Sequence, residues 1–199
     1  MPPHLLTVDE SPLGISWVLD EPMQRACHAI VAGAKVWFVD PIEVDDIVDR
    51  GAALGEPAGV LQLLDRHNRD CAEVAERLGI EHLRVPDTVP DPAFETIAAV
   101  RFPGWKETAL WCRESETLVV AEVVGTNSIY NAGGGGVGMH PMLRAWPPKS
   151  IRGHRPAHLL VGHGAPVHGA DAAAGLEHAY ERSRRDIPKA LVNLPRAAR

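Results

Sequence analysis

Leu63-Leu64-Asp65-Arg66-His67-Asn68-Arg69-Asp70-Cys71 is where the chain passes from an apolar run into a polar loop. The run Gly59-Val60-Leu61-Gln62-Leu63-Leu64 suits a buried strand, being short, apolar and bounded by polar residues. Cys71 to Leu78 then reads as a helix, with Asp70 near its start and Gly79 as its stop. Much later, Ala157 to Val161 reads as another buried strand, and it ends at Gly162-His163-Gly164. The residues able to carry chemistry are thus concentrated where two buried strands end.

Outward from this centre, Lys35-Val36-Trp37-Phe38-Val39 is a strand stopped by Asp40-Pro41, since proline cannot extend a central ladder. Gly14 to Leu19 is a further strand, rich in β-branched and aromatic residues, and Ala26 to Val31 reads as a strand or a short helix. Ile42 to Leu54 carries apolar residues close to helical spacing, with Gly55 able to end it. Ile80 to Val85 is a strand, and Asp87 to Phe94 a proline-rich loop. Ala109 to Cys112 and Thr117 to Val124 pair around the turn Arg113 to Glu116. Asn131 to Gly138 is too glycine-rich for regular structure. Asp171 to Asp186 is a final helix with Ala173, Leu176, Ala179 and Tyr180 along its apolar stripe. Strands, then helices inserted between strands, then a closing strand and helix predict two packed sheets with helices outside, an αββα sandwich.

The 199 residues suit one globular domain spanning 1–199. Composition is that of an ordinary soluble protein, 45% hydrophobic and 23% charged. A net charge of −6 argues against a nucleic-acid surface, which is usually basic, so the basic end made by Arg182, Arg184, Arg185, Lys189 and Arg196 reads as a solvated face or a subunit contact. No apolar run is long enough to span a bilayer, and Met1-Pro2-Pro3-His4 does not begin a signal peptide. Three dispersed cysteines, Cys27, Cys71 and Cys112, argue against a disulfide framework. The expectation is a cytoplasmic protein with a small-molecule ligand, no nucleic acid and no membrane partner, and room for a homo-oligomer.

In order and spacing, these stretches resemble the metallo-β-lactamase-fold family over residues 14 to 185. That family reads Thr-His-x-His-x-Asp-His after a buried strand, then Gly-His, then an aspartate ending a strand, then a late Gly-His-Gly. Here the first motif stands as Asp65-Arg66-His67-Asn68-Arg69-Asp70-Cys71, the second as Gly104-Trp105, and the strand carboxylate as Glu122. The last motif is intact as Gly162-His163-Gly164.

The resemblance implies a four-layer αββα fold and a site for two metal ions. The first ion's positions hold Arg66, Asn68 and Trp105. An arginine has no lone pair to give a metal and a tryptophan only donates, so that half is expected to be absent. The second ion's positions hold Asp70, Cys71, Glu122 and His163, all of ligand-capable type for zinc or iron. One reading is therefore a mononuclear metal-dependent hydrolase of an ester, thioester, lactone or amide. Its candidate catalytic residues are Arg66, a substrate clamp or oxyanion stabiliser, and Asp70. The other reading is a metal-free relative, a binding protein or pseudoenzyme. There Cys71 is a buried apolar residue, Asp70 caps its helix, and Glu122 pairs with Arg66 or Arg69. The cofactor is none on that reading and a single zinc or iron ion on the first.

His67 falls at a non-ligand position, as a surface loop histidine or one turned inward to replace a lost ligand. His67, Asn68, Trp105 and His140 are the expected pocket lining, with Met139, Met142 and Trp146 near its mouth. The glycines at 133 to 136 are followed by Val137-Gly138-Met139-His140, so they do not form a P-loop. Neither a Gly-x-Ser-x-Gly elbow nor a Cys-x-x-Cys pair is present.

Overall fold

The computed structural model describes residues 4 to 197, and the side chains of 4 to 192; Met1-Pro2-Pro3, from which the absence of a leader was read, lie outside. The first sheet contains β1 (Leu5–Ser11), β2 (Gly14–Leu19), β3 (Ala26–Ala32), β4 (Lys35–Val39), β5 (Glu56–Gln62) and β6 (Glu81–Arg84), in that spatial order. β1 to β4 form an antiparallel meander, and β4, β5 and β6 run parallel. The parallel pairs need crossovers, supplied by α1 (Ile47–Ala52) and α2 (Cys71–Leu78).

The second sheet is built from β7 (Glu95–Phe102), β8 (Trp105–Cys112) and β9 (Thr117–Val120). After it come the short pair β10 (Val124–Gly125) and β11 (Gly138–Met139), then β12 (His158–Val161) and β13 (Val167–His168). The spatial order in the second sheet is β13-β12-β9-β8-β7, with β12 parallel to β9. The chain closes with α3 (Ala170–Arg182) and α4 (Ile187–Ala197). Among the described residues no helix is long and apolar enough to cross a membrane.

The layers follow from strand alternation. Successive side chains on β4 point to opposite faces. Trp37 and Val39 enter the core shared with the second sheet, beside Leu110, Leu118 and Val119. Val36 and Phe38 face the other way, into a core with Ile47 and Val48 of α1 and Val74 of α2. On the far side, Ala172, Leu176 and Ala179 of α3 pack against the second sheet. The result is the expected αββα order.

Several local expectations change. Residues 26–31 form a strand, paired with β2 and β4. The helix expected over 42–54 contracts to Ile47–Ala52, because Pro41 and the positive φ of Asp45 (52°) keep the preceding segment out of helix. β1, β7 and α4 were not foreseen. The strand expected over 117–124 breaks after Val120, where the buried Glu107 carboxylate accepts the backbone N–H groups of Ala121, Glu122 and Val123 at 3.0, 3.0 and 3.2 Å. A side chain thus takes over from the ladder, and the freed segment carries Glu122 to the rim of the sheets.

Candidate metal centre

Three chain segments meet at that rim: the loop after β5, the break after β9 and the turn after β12. Asp40, at the end of β4, organises the first. Its Oδ1 accepts the Leu63 N–H at 3.0 Å, and its Oδ2 lies 2.9 Å from His67 Nδ1. Asp40 is buried and held at φ 45°, a left-handed conformation that aspartate adopts more readily than most residues other than glycine. The His67 N–H bonds back to the Leu64 carbonyl at 3.0 Å, and that turn aims the ring inward. His67 is therefore a buried histidine rather than a surface one.

His163 is placed with equal care. Its Nδ1 lies 3.0 Å from the Met23 carbonyl, so Nδ1 carries the proton and Nε2 the lone pair. The same logic applies to His67, whose Nδ1–H donates to Asp40. A side chain at Gly162 would meet the Ala121 carbonyl oxygen at 2.3 Å, so the turn bearing His163 requires close backbone approach there. The Tyr130 ring stacks on His163 with centroids 5.4 Å apart and an interplanar angle of 18°.

The two Nε2 atoms converge on one oxygen. Glu122 Oε1 is 3.3 Å from His67 Nε2 and 3.7 Å from His163 Nε2. Ligand atoms of His67, Glu122 and His163 all lie within 4.8 Å of one another. His163 Nε2 is buried without a hydrogen-bond partner among the described residues. Burial raises the Glu122 pKa, but the histidines beside it outweigh burial and hold the carboxyl far below the usual range. Burial first, with Arg69 and His67 adding to it, lowers His163. With no proton on either Nε2, the centre would present two imidazole lone pairs and a carboxylate oxygen to one another, an arrangement that calls for a positive charge, a proton or an ion, between them. Two histidines and one glutamate are a known donor set for zinc, and two histidines and a carboxylate for non-haem iron. The Asp40–His67 bond is the kind of outer partner that fixes a ligand's tautomer. The residues present fit a single ion.

The other oxygen of Glu122 faces a cation already in the chain. Arg66 Nη2 donates to Glu122 Oε2, and Nη1 donates to the Gly104 carbonyl at 3.3 Å. The guanidinium lies over Trp105, 4.4 Å from the ring centroid, and the Arg66 side chain is 43% exposed. His140 meets Trp105 edge-on at 4.7 Å and lies 3.9 Å from Glu122 Oε2. His140 Nδ1 accepts the Met142 N–H, so neutral His140 turns an Nε2–H toward the site. Burial lowers its pKa to about 4 and keeps it neutral.

Not every expected site residue arrives here. Arg66, His67, Trp105, Glu122, His140 and His163 come together. Asp70 turns away: its Oδ2 accepts the Glu43 N–H at 2.9 Å, and its side chain makes no cap on α2. Cys71 is fully buried in the outer core, its thiol donating to the His67 carbonyl at 3.6 Å. Burial, with Asp40 nearby, pushes that thiol well above the ordinary range, against the thiolate that binds metal. Asn68 is exposed, and its Oδ1 accepts from Gln62 Nε2 at 3.4 Å. The ligand set expected from the motif, Asp70, Cys71, Glu122 and His163, is thus not the set that converges; His67 stands where Asp70 and Cys71 were expected. The reason is local. The turn at Leu64–His67 and the positive φ of Arg69 (45°) change which side chains of the loop point inward. The pairing of His67 with Asp40, a carboxylate ending a strand, was the signal the motif spacing passed over.

No protein-family model and no curated protein matches the sequence. Solved structures do match the fold. The DIM-1 metallo-β-lactamase exposed to ceftazidime superposes with a TM-score of 0.55 at 11% identity, covering 91% of this chain and 98% of that one. The chemotaxis sensor ODP, described in a peroxy diiron state, gives a TM-score of 0.55 at 13% identity, covering 90% and 94%. A metallo-β-lactamase from Erythrobacter litoralis gives 0.50 at 10% identity, covering 90% and 96%. The chain has the metallo-β-lactamase fold, in a form far diverged in sequence.

Proposed function

We propose that this protein is a mononuclear metal-dependent hydrolase whose ion is held by His67, Glu122 and His163. The observation that carries the reading is the convergence of two imidazole Nε2 atoms and a Glu122 carboxylate oxygen within 4.8 Å, each imidazole fixed by a bond at its other nitrogen. An ion there would act as a Lewis acid and bring the pKa of a water at its open position to about 7. Asp40 holds the tautomer of His67, and Trp105 supports the Arg66 guanidinium over its face. Arg66, exposed and holding Glu122 through Nη2 while Nη1 bonds the Gly104 carbonyl, would exchange that carboxylate for an anionic group of the substrate. His140, also against Trp105, presents an N–H toward Glu122 Oε2. The substrate class is an ester, thioester, lactone or amide that bears a carboxylate or phosphate for Arg66.

One observation favours the metal-free alternative: the Arg66–Glu122 ion pair itself, which neutralises part of the centre without an ion. Titration of metal-stripped, untagged protein with Zn2+ separates the two. The metal reading expects about one equivalent bound in the parent and its loss in Glu122→Gln. Arg66→Met, lacking the cation that competes for Glu122, should bind Zn2+ about tenfold more tightly, since like-charge repulsion across a few ångströms is on the order of 1–2 kcal/mol even in a water-like dielectric. The same variant should lose any preference of the Zn2+-loaded protein for anionic substrates. Absence of stoichiometric Zn2+ binding in both the parent and Arg66→Met would leave the metal-free binding role standing instead.

A further inference from the structure

Far from the centre, at the start of β12 and the end of β13, a second group of imidazoles has no part in the chemistry above. The antiparallel register sets His158 directly opposite His168. Directly opposed residues project from the same face of a sheet, and here the two Nδ1 atoms stand 2.8 Å apart. His168 Nε2 lies 3.0 Å from Asp9 Oδ2, on β1 of the other sheet. The carboxylate takes the Nε2–H, so His168 Nδ1 carries a lone pair aimed at His158. In the absence of an ion, the Nδ1–H of His158 fills that gap. A shift of His158 to its other neutral tautomer, with the proton on Nε2, leaves a lone pair on each Nδ1 without net proton release.

The spacing has a coordination meaning. Two nitrogens bound cis at right angles, each about 2.0 Å from an ion, stand about 2.8 Å apart. Square-planar nitrogen sites of this kind suit Cu2+ and Ni2+, and Cu2+ binds most tightly among the divalent first-row ions. The His168 and Asp9 side chains are 31% and 37% exposed, so water can reach the site and supply the remaining ligands.

We propose that His158 and His168 form a cross-strand chelate for Cu2+ through their Nδ1 atoms, with Asp9 as the hydrogen-bond partner that orients His168. Asp9 belongs to the first sheet and both histidines to the second, so the His168–Asp9 bond joins the free edges of the two sheets and the ion would sit beside that bond. The site is separate from the centre at His67, Glu122 and His163, and either can fail without the other.

The test is a Cu2+ titration of the full chain, followed by electron paramagnetic resonance, in the parent, His158→Gln and Asp9→Asn. The expected result is one Cu2+ equivalent fewer in His158→Gln, with loss of a nitrogen hyperfine pattern from two imidazoles. Asp9→Asn should keep the equivalent but weaken it about tenfold, as removal of an outer partner does. Equal stoichiometry and affinity in the parent and His158→Gln would overturn the proposal and leave a plain N–H···N bond. Should His158→Gln not fold, unchanged Cu2+ affinity in Asp9→Asn would overturn it as well.

Discussion

Arg69→Met should unfold in urea with a stability about 3–5 kcal/mol below that of the parent chain. The guanidinium of Arg69 is a strut between three segments: Nη1 donates to the carbonyls of Ala26 and, at 2.9 Å, Asp40, while Nη2 donates to the Gly162 carbonyl at 3.1 Å. Those carbonyls belong to the start of β3, the end of β4 and the turn after β12. A hydrogen bond to a charged group contributes roughly 1.5–3 kcal/mol, and a carbonyl left buried without a partner carries a further cost, although that of Gly162 keeps the Ala26 N–H at 2.9 Å. Methionine keeps much of the length and none of the donors. Arg69→Lys should recover only part of the loss, since one ammonium cannot reproduce the planar fork. The same three segments carry Asp40 and His163, so Zn2+ affinity should fall with the stability. A loss under about 1 kcal/mol for Arg69→Met would show that backbone packing alone holds the rim together.

The second large effect is a pH dependence that originates in His28. This histidine is fully buried between β2 and the second sheet, with Nδ1 2.8 Å from Ser16 Oγ and Nε2 3.1 Å from the Val161 carbonyl. The carbonyl can only accept, so Nε2 carries the proton and Nδ1 accepts from the Ser16 hydroxyl. That tautomer satisfies both partners with a neutral ring. Burial lowers its pKa to about 4, against 6.5 in an exposed chain. Between those values the unfolded chain binds a proton that the folded chain does not, so stability rises with pH in that window. On acidification from pH 6.5 to 4 the contribution lost is about 3 kcal/mol, and above pH 6.5 the group contributes no slope. Burial also lowers the pKa of His140 and His163, so the check is a difference: urea unfolding of the parent and of His28→Gln at pH 4.5, 5.5 and 7. The parent should show the steeper decline. Parallel curves would mean that His28 is protonated in the fold or equally shielded when unfolded.

How much of this was legible in the sequence depended on what each residue's role required. The β4 strand ending at Asp40-Pro41 was legible because a run of β-branched and aromatic residues met a proline. β5, the loop after it and α2 were legible because an apolar run, a polar loop and a glycine stop follow one another. β7, with Arg101 and Phe102 exposed at its end, lacks a clean apolar face and was missed. α1 was overextended because spacing alone cannot see the positive φ at Asp45. Glu122 and His163 were legible as ligand types near strand ends, and the Arg66–Glu122 pair was foreseen as one of two outcomes. His67 was not legible as a converging group, because its direction is set by a turn and by Asp40, which lies 27 residues away in sequence. Cys71 and Asp70 misled for the converse reason. Their types suit a metal, but the helix they open faces the outer core.

X-ray absorption at the zinc edge, on protein loaded with one equivalent of Zn2+, tests the central claim most directly. Ligation by His67, Glu122 and His163 predicts a first shell of nitrogen and oxygen alone at about 2.0–2.1 Å, with outer scattering from two imidazole rings. A sulfur shell at about 2.3 Å would place Cys71 on the metal and contradict the account, and so would a shell holding fewer than two imidazoles.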